Sequence, residues 1–331
     1  MCSCSEMLNE AHLLDTLETS EHQEAFKPPT PYARWTSQKK QNVYNTFRLM
    51  QLNSPLKGQY KTTLDCGSLL MQQGDTFSWW KCKKKWCSTC QNIRTADLIN
   101  GFKHILEEFK EPTLVVLTMK NCKGKKLKDR YKKMIHAFKL ARRNVYKTYG
   151  MKIDGIRTWE CTYNEEEDTY HPHFNIIVDG SEVAELLVTY WMNYWNTIKP
   201  GYCSLKAQYI TPIKSSKDLL EVFKYVTKLS VSQKEEVKAQ DWIFQCTRGK
   251  RLVQTFGRLK KVKIEEKDTH EEKVENATTQ EDTFVIWWWD MLWNTYRNSE
   301  GEILATWEEV QAYRKKKERK RKHYEERYKP K

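Results

Sequence analysis

The order of hydrophobic periodicities after residue 111 constrains this chain most tightly. "PTLVVLTMK" (112–120) is a short apolar run rich in β-branched residues, which predicts a buried strand. In the stretch 126–150, Leu127, Tyr131, Met134, Ile135, Phe138, Ala141 and Val145 recur at three- and four-residue steps, and Gly150 closes it. That spacing predicts a long amphipathic helix with a basic outer face. "DGIRTWECTYN" (154–164) alternates as a strand, "EEED" turns the chain, and "TYHPHFNIIVDG" (169–180) returns as a second strand. "SEVAELLVTYWMNYWNTI" (181–198) reads as a helix with Ser181 as its N-cap. "SLKAQYITPI" (204–213) follows as a strand and "SKDLLEVFKYVTKL" (216–229) as a helix. The order β-α-β-β-α-β predicts an α+β, ferredoxin-like fold, an antiparallel sheet with helices packed on one face.

Within that frame, His171 and His173 stand two residues apart on one strand, so both imidazoles share a face. Two neutral imidazoles side by side form a bidentate platform for a divalent cation. Glu160, across the hairpin, is the candidate third ligand. A mixed nitrogen and oxygen set suits Mg²⁺ or Mn²⁺ and leaves positions open for water and substrate. In "LLEVFKYVTKLS", Glu221 and Tyr225 are four residues apart and Lys228 three further on, so the three share one helix face. A phenol, a carboxylate and an ammonium fit around a phosphodiester: tyrosine attacks phosphorus, and lysine favours the phenolate or the developing charge. A packing tyrosine in an amphipathic helix gives the same local pattern.

Ten cysteines are present. Cys82, Cys87 and Cys90 are spaced as thiolate ligands of zinc, with Cys66 as the fourth ligand of a tetrahedral site. Cys2, Cys4, Cys122, Cys161, Cys203 and Cys246 lack ligand-like spacing. The N-terminus has no signal-peptide pattern and no apolar run is long enough to span a bilayer. The expected compartment is the cytoplasm, which argues against disulfides.

The net charge of +14 is unevenly spread. Residues 1–26 carry six acids and no Lys or Arg, and residues 265–282 carry eight acids against two lysines. Residues 314–331 carry eleven bases against three acids. The body between these segments is therefore strongly cationic, and nucleic acid is the natural partner for it. The basic tail reads either as a helix or as a disordered arm that adds salt-sensitive phosphate affinity.

Taken together, the histidine strand and the later "EVFKYVTK" helix resemble the rolling-circle replication initiators of small bacterial plasmids. These are endonucleases named for a histidine–hydrophobic–histidine motif. The resemblance runs from about Cys66 to about Lys261, with "LVVLTMK", "WECTYNEEEDTYHPHFN" and "EVFKYVTK" similar to the three family motifs. It is to the single-tyrosine branch, with glutamate four residues before the nucleophile. "RGKRLVQTFGRLKK" resembles the segment that follows there, which makes Arg248, Lys250 and Arg251 candidate DNA contacts. A cysteine cluster ahead of the first motif is a feature of the same branch.

The resemblance implies that Tyr225 is the nucleophile, that Glu221 activates water for termination, and that His171 and His173 hold the metal. Asn175 stands where members often carry a third histidine. The implied activity is metal-dependent, site-specific nicking of one strand through a 5′-phosphotyrosine, followed by rejoining. The implied partners are hairpin or single-stranded DNA at a plasmid origin, with a host helicase and DNA polymerase, and no membrane. Competing readings are a transposase or mobilisation relaxase with the same chemistry, and a zinc-containing repressor with none. The expected division is an acidic lead-in (1–30), a zinc-binding region (31–97), the endonuclease (98–263), an acidic linker (264–282), and an aromatic segment with basic tail (283–331).

Overall fold

The computed structural model describes residues 31–214, 237–261, 269–274 and 284–328. The chain opens on helix α1 (Pro31–Met50) and a short α2 (Lys57–Lys61). A hairpin follows, β1 (Leu69–Gln73) and β2 (Thr76–Trp80), then helix α3 (Ser88–Glu107). Next come β3 (Pro112–Thr118), α4 (Gly124–Tyr149), β4 (Gly155–Asn164), β5 (Thr169–Asp179) and α5 (Ser181–Ile198). β6 (Tyr209–Pro212), α6 (Val237–Thr247) and β7 (Val253–Phe256) complete the first sheet and its surroundings. β8 (Thr269–Lys273), β9 (Phe284–Asp290), β10 (Thr295–Arg297) and α7 (Trp307–Tyr328) follow.

The first sheet has the order β6-β3-β5-β4-β7, with every neighbouring pair antiparallel. Its first four strands take the ferredoxin-like order, and β7 extends the edge. Side-chain alternation sorts β5 cleanly. Tyr170, Phe174, Ile176 and Val178 face α4 and α5 in the larger core, with Leu127, Met134, Phe138 and Trp191. The odd-numbered residues face the other way, where Ile177 and Ile156 pack beneath Phe102 and Leu106 of α3. Among the described residues, that second face is packed by α3 at this end. Towards the β4–β5 turn it carries His171, His173 and Asn175 instead.

Gly150 ends α4 in the left-handed region (φ 68°), its N–H donating to the Tyr146 carbonyl, as the sequence predicts. Ser181 is not the cap expected of it. Gly180 holds that position, and the Glu111 carboxylate accepts from both the Ser181 N–H (3.0 Å) and the Ser181 hydroxyl (2.6 Å). The negative charge at the positive end of the helix comes from the loop before β3, because β3 and β5 bring Glu111 and Ser181 side by side.

A second antiparallel sheet, β10-β9-β1-β2-β8, joins the two ends of the chain. Leu69 pairs with Trp288 and Gln73 with Phe284, while Trp80 pairs with Thr269. Thr269–Lys273, read from the sequence as acidic linker, is therefore an edge strand, and the aromatic block from Phe284 is structural. Trp35 and Val43 of α1 cover one face, over Leu70, Phe77, Trp79, Trp287, Trp289 and Tyr296. The basic tail forms α7, whose Val310 packs with Ala33 of α1. Among the described residues no helix is long and apolar enough to cross a membrane.

Candidate functional site

β4 and β5 are in register at the histidines: Glu160 lies opposite His173, and Thr162 opposite His171. The two imidazole centroids are 5.4 Å apart on the sheet face opposite α4 and α5, with His173 and Asn175 buried. Each ring is oriented through Nδ1. His171 Nδ1 donates to Asn121 Oδ1 at 2.7 Å, and His173 Nδ1 to the His171 carbonyl at 3.3 Å. That tautomer leaves both Nε2 atoms with a lone pair, the arrangement a ligating histidine needs. His171 Nε2 accepts from the Thr118 hydroxyl at 3.0 Å, and His173 Nε2 lies 3.2 Å from Glu160 Oε2.

The last contact is informative. A ring lone pair and a carboxylate oxygen facing each other need a cation between them, either a proton or a metal. Two cis ligands at ~2.1 Å from an octahedral ion are ~3.0 Å apart, so the spacing suits either occupant. Burial alone pulls the His173 imidazole down, but its hydrogen bond to Glu160 and that residue's charge overrule this and leave it raised. Burial pushes His171 down to about 4, with repulsion from His173 adding to the effect and Glu160 opposing it. Asn175 Nδ2 donates to the same Glu160 oxygen at 2.9 Å, so the residue at the third-histidine position holds the carboxylate in place. Asn121 and Thr118 were not singled out from the sequence. Thr118 ends β3, opposite His173, and Asn121 lies three residues beyond it.

Tyr225, Glu221 and Lys228 lie outside the described residues. The described chain on either side ends at Lys214, after Ile213 has packed beneath α3 on the histidine face, and resumes at Val237.

The cysteine expectation can be compared atom by atom. The Sγ atoms of Cys66, Cys82, Cys87 and Cys90 all lie within 4.8 Å of one another, and all four residues are buried. Among the described residues this is the group of three or more His, Cys, Asp or Glu side chains that converges so closely. Cys66–Cys90 is 3.5 Å and Cys82–Cys90 3.6 Å, far beyond a disulfide bond and near the ~3.8 Å edge of a tetrahedron of sulfurs about Zn²⁺. Hydrogen bonds from the other three thiols hold Cys66 far below the usual thiol range and push Cys82 and Cys87 up. The cluster can hold a metal ion such as zinc.

Its scaffold is polar. Lys39 of α1, almost wholly buried, donates to the carbonyls of Leu64 (2.5 Å) and Cys66 (2.9 Å) and to Ser68 Oγ (2.7 Å). Asn42 donates to the Thr63 carbonyl, and Tyr296 of β10 to the Gly67 carbonyl. The turn bearing Cys66 is thus clamped from both ends of the chain.

The three candidate DNA contacts lie away from the histidines. Arg248 and Arg251 are exposed, and Lys250 rests on the ring of Tyr131 at 4.1 Å. Tyr131 belongs to α4, so this loop sits against the helical side of the sheet. Lys85, next to the cysteine cluster, donates to the Thr247 carbonyl (2.6 Å) and the Lys250 carbonyl.

Comparison with known proteins places this arrangement among replication proteins. A Bacillus sp protein named "Protein rep" is 33% identical over 103 residues, 29% of this chain and 33% of its own length. A Streptococcus pneumoniae "Protein rep" is 29% identical over 183 residues, covering 47% of this chain and 55% of that one. A Staphylococcus aureus "Protein rep" is 26% identical over 159 residues, 44% of this chain and 68% of that one. The match thus spans only about a third of the length of the Bacillus relative. No solved structure matches the chain. The Rep_1 family of replication proteins matches residues 74–313, which takes in the first sheet, the cysteine ligands from Cys82 and the strands of the second sheet contributed by the C-terminal part. With most of its length inside that match, and with the resemblance to rolling-circle initiators borne out at the level of family, the chain belongs to the Rep_1 replication proteins.

Proposed function

We propose that this chain initiates plasmid rolling-circle replication by nicking and later rejoining one strand of its origin. The observation that carries the proposal is the pair of oriented imidazoles beside Glu160 on one sheet face. His171, His173 and Glu160 would hold the cation, Mn²⁺ or Mg²⁺, whose chemistry is to polarise a non-bridging phosphate oxygen. Tyr225 Oη attacks phosphorus; the bond to the 3′ oxygen breaks, and that oxygen leaves as a hydroxyl carrying the proton lost by the phenol. The product is a 5′-phosphotyrosine ester plus a free 3′ end for a host polymerase, with a host helicase opening the duplex. Lys228 favours the phenolate, and Glu221 orients a water for the terminating cleavage. The four cysteines hold Zn²⁺ as a structural ion. The protein works in the cytoplasm, and Arg248, Lys250 and Arg251 meet the DNA backbone.

The test is covalent capture. Incubating the protein with Mn²⁺ and an end-labelled origin hairpin library should leave a labelled adduct that resists denaturant, and Tyr225→Phe should abolish it. A surviving adduct moves the nucleophile elsewhere. Glu221→Ala should still nick but accumulate uncompleted termination products on a supercoiled origin plasmid; normal circles from that variant would refute its role. Circle synthesis from the protein's own origin separates an initiator from a transposase or relaxase. Binding without cleavage at every Mn²⁺ concentration would favour a repressor.

A further inference from the structure

The second sheet has a face that α1 does not cover, and that face is aromatic. Phe284, Ile286 and Trp288 of β9 point outward beside Leu69 of β1, with Trp80 at the end of β2. Arg297 is the cross-strand neighbour of Trp288. It also lines a cavity of about 380 Å³ between the β9–β10 turn, α1 and the start of α7. That volume lies within the ~300–1,000 Å³ range of small-ligand sites.

Two tryptophans stand in its walls, Trp293 at 71% exposure and Trp307 at 50%. Each has a cation near its ring: Arg297 Cζ is 6.0 Å from the Trp293 centroid, and Lys40 Nζ is 4.3 Å from that of Trp307. Among the described residues that line the cavity, Lys40 and Arg297 are the charged ones and none is a carboxylate. Asp290, 3.5 Å from Arg297, lies outside that lining. Thr36, also in the lining, is almost wholly buried, and its hydroxyl has no hydrogen-bond partner among the described residues.

We infer that this cavity and the adjoining sheet face bind single-stranded DNA, with an unpaired base stacked on Trp293, the more exposed of the two tryptophans. A peptide or a second copy would find apolar contact here. The all-cationic lining selects a ligand that joins flat apolar rings to negative charge, and a nucleotide strand is that ligand. The inference rests on the proposed function for its choice of DNA, because nicking an origin exposes single strands. It does not depend on Tyr225.

The probe is a fluorescein-labelled oligothymidylate of about twelve nucleotides, within the ~4–16 nucleotide footprint of such surfaces. Binding is read by anisotropy on full-length protein carrying Tyr225→Phe, so that no cleavage intervenes. Trp293→Ala should weaken binding about tenfold or more, as expected for one lost stacking contact, at both low and high salt. Trp293→Phe should retain most of the affinity, which a folding defect would not explain. An oligothymidylate bearing one 5-iodouracil should photo-crosslink to the peptide holding Trp293. Unchanged affinity in Trp293→Ala, crosslinks only elsewhere, or loss of self-association in place of DNA binding would overturn the inference. A failed adduct test with intact oligothymidylate binding would sink the nicking proposal alone.

Discussion

At the residue scale the candidate site is a lesson in orientation. His171 can be a ligand because Asn121 Oδ1 accepts a hydrogen bond from its Nδ1–H, so Asn121 acts through the histidine. Asn121→Ala should raise the Mn²⁺ concentration for half-maximal adduct formation by about tenfold, with little change at saturating metal. A metal titration checks this; an unshifted curve would remove His171 from the ligand set. The histidine pair and Glu160 were legible in the sequence because strand alternation and a short hairpin fix their faces. Their supporting residues were not. Thr118 and Asn121 are ordinary polar residues until β3 is seen to lie beside β5.

At the scale of elements, the cysteine cluster shows what spacing reveals and what it hides. The ligands were readable, and Cys66 takes the fourth position expected of it. Helix α1 was not. Beside Trp35 and Val43 it buries Lys39, Asn42 and Thr46, side chains that bond to the turn before β1, whereas a search for helical faces looks for hydrocarbon. A metal ion on the four cysteines would hold the same turn as this polar clamp, so the two should fail together. Cys87→Ser should lose bound zinc, expected at about one ion per chain in the parent. With ~10–16 kcal/mol of metal binding typical of small zinc domains, the β1–β2 region should then become sensitive to protease. Zinc assay and limited proteolysis read the two effects; full zinc content in that variant would place the ion elsewhere.

At the scale of the whole molecule, the histidine-bearing sheet is flanked in sequence by a second sheet whose strands come from both ends of the described chain. The ferredoxin-like order was legible because its elements are contiguous. The second sheet was not, because β2 and β8 pair across everything between Trp80 and Thr269, and no local period records that distance. A chain stopped after residue 263 should therefore do more than lose a linker and a tail. It uncovers Leu70, Phe77 and Trp79, which pack against Trp287, Trp289 and Tyr296, and it removes the Tyr296 hydroxyl from Gly67. We expect aggregation or a melting point lowered by ten degrees or so, since a core loss of several kcal/mol moves Tm by ~2–4 °C per kcal/mol at this size. Supplying residues 264–331 in trans should restore it. A truncated chain as stable as the parent would show that the first and second sheets are energetically separate.

That woven sheet also sets a timetable. The β1–β2 hairpin leaves the ribosome early, yet a lone two-stranded ribbon is barely stable in water. Its apolar side must wait until Thr269 and then Phe284 have been translated. During that wait the strands of the first sheet can already pair, while the hairpin remains a ready client for chaperones.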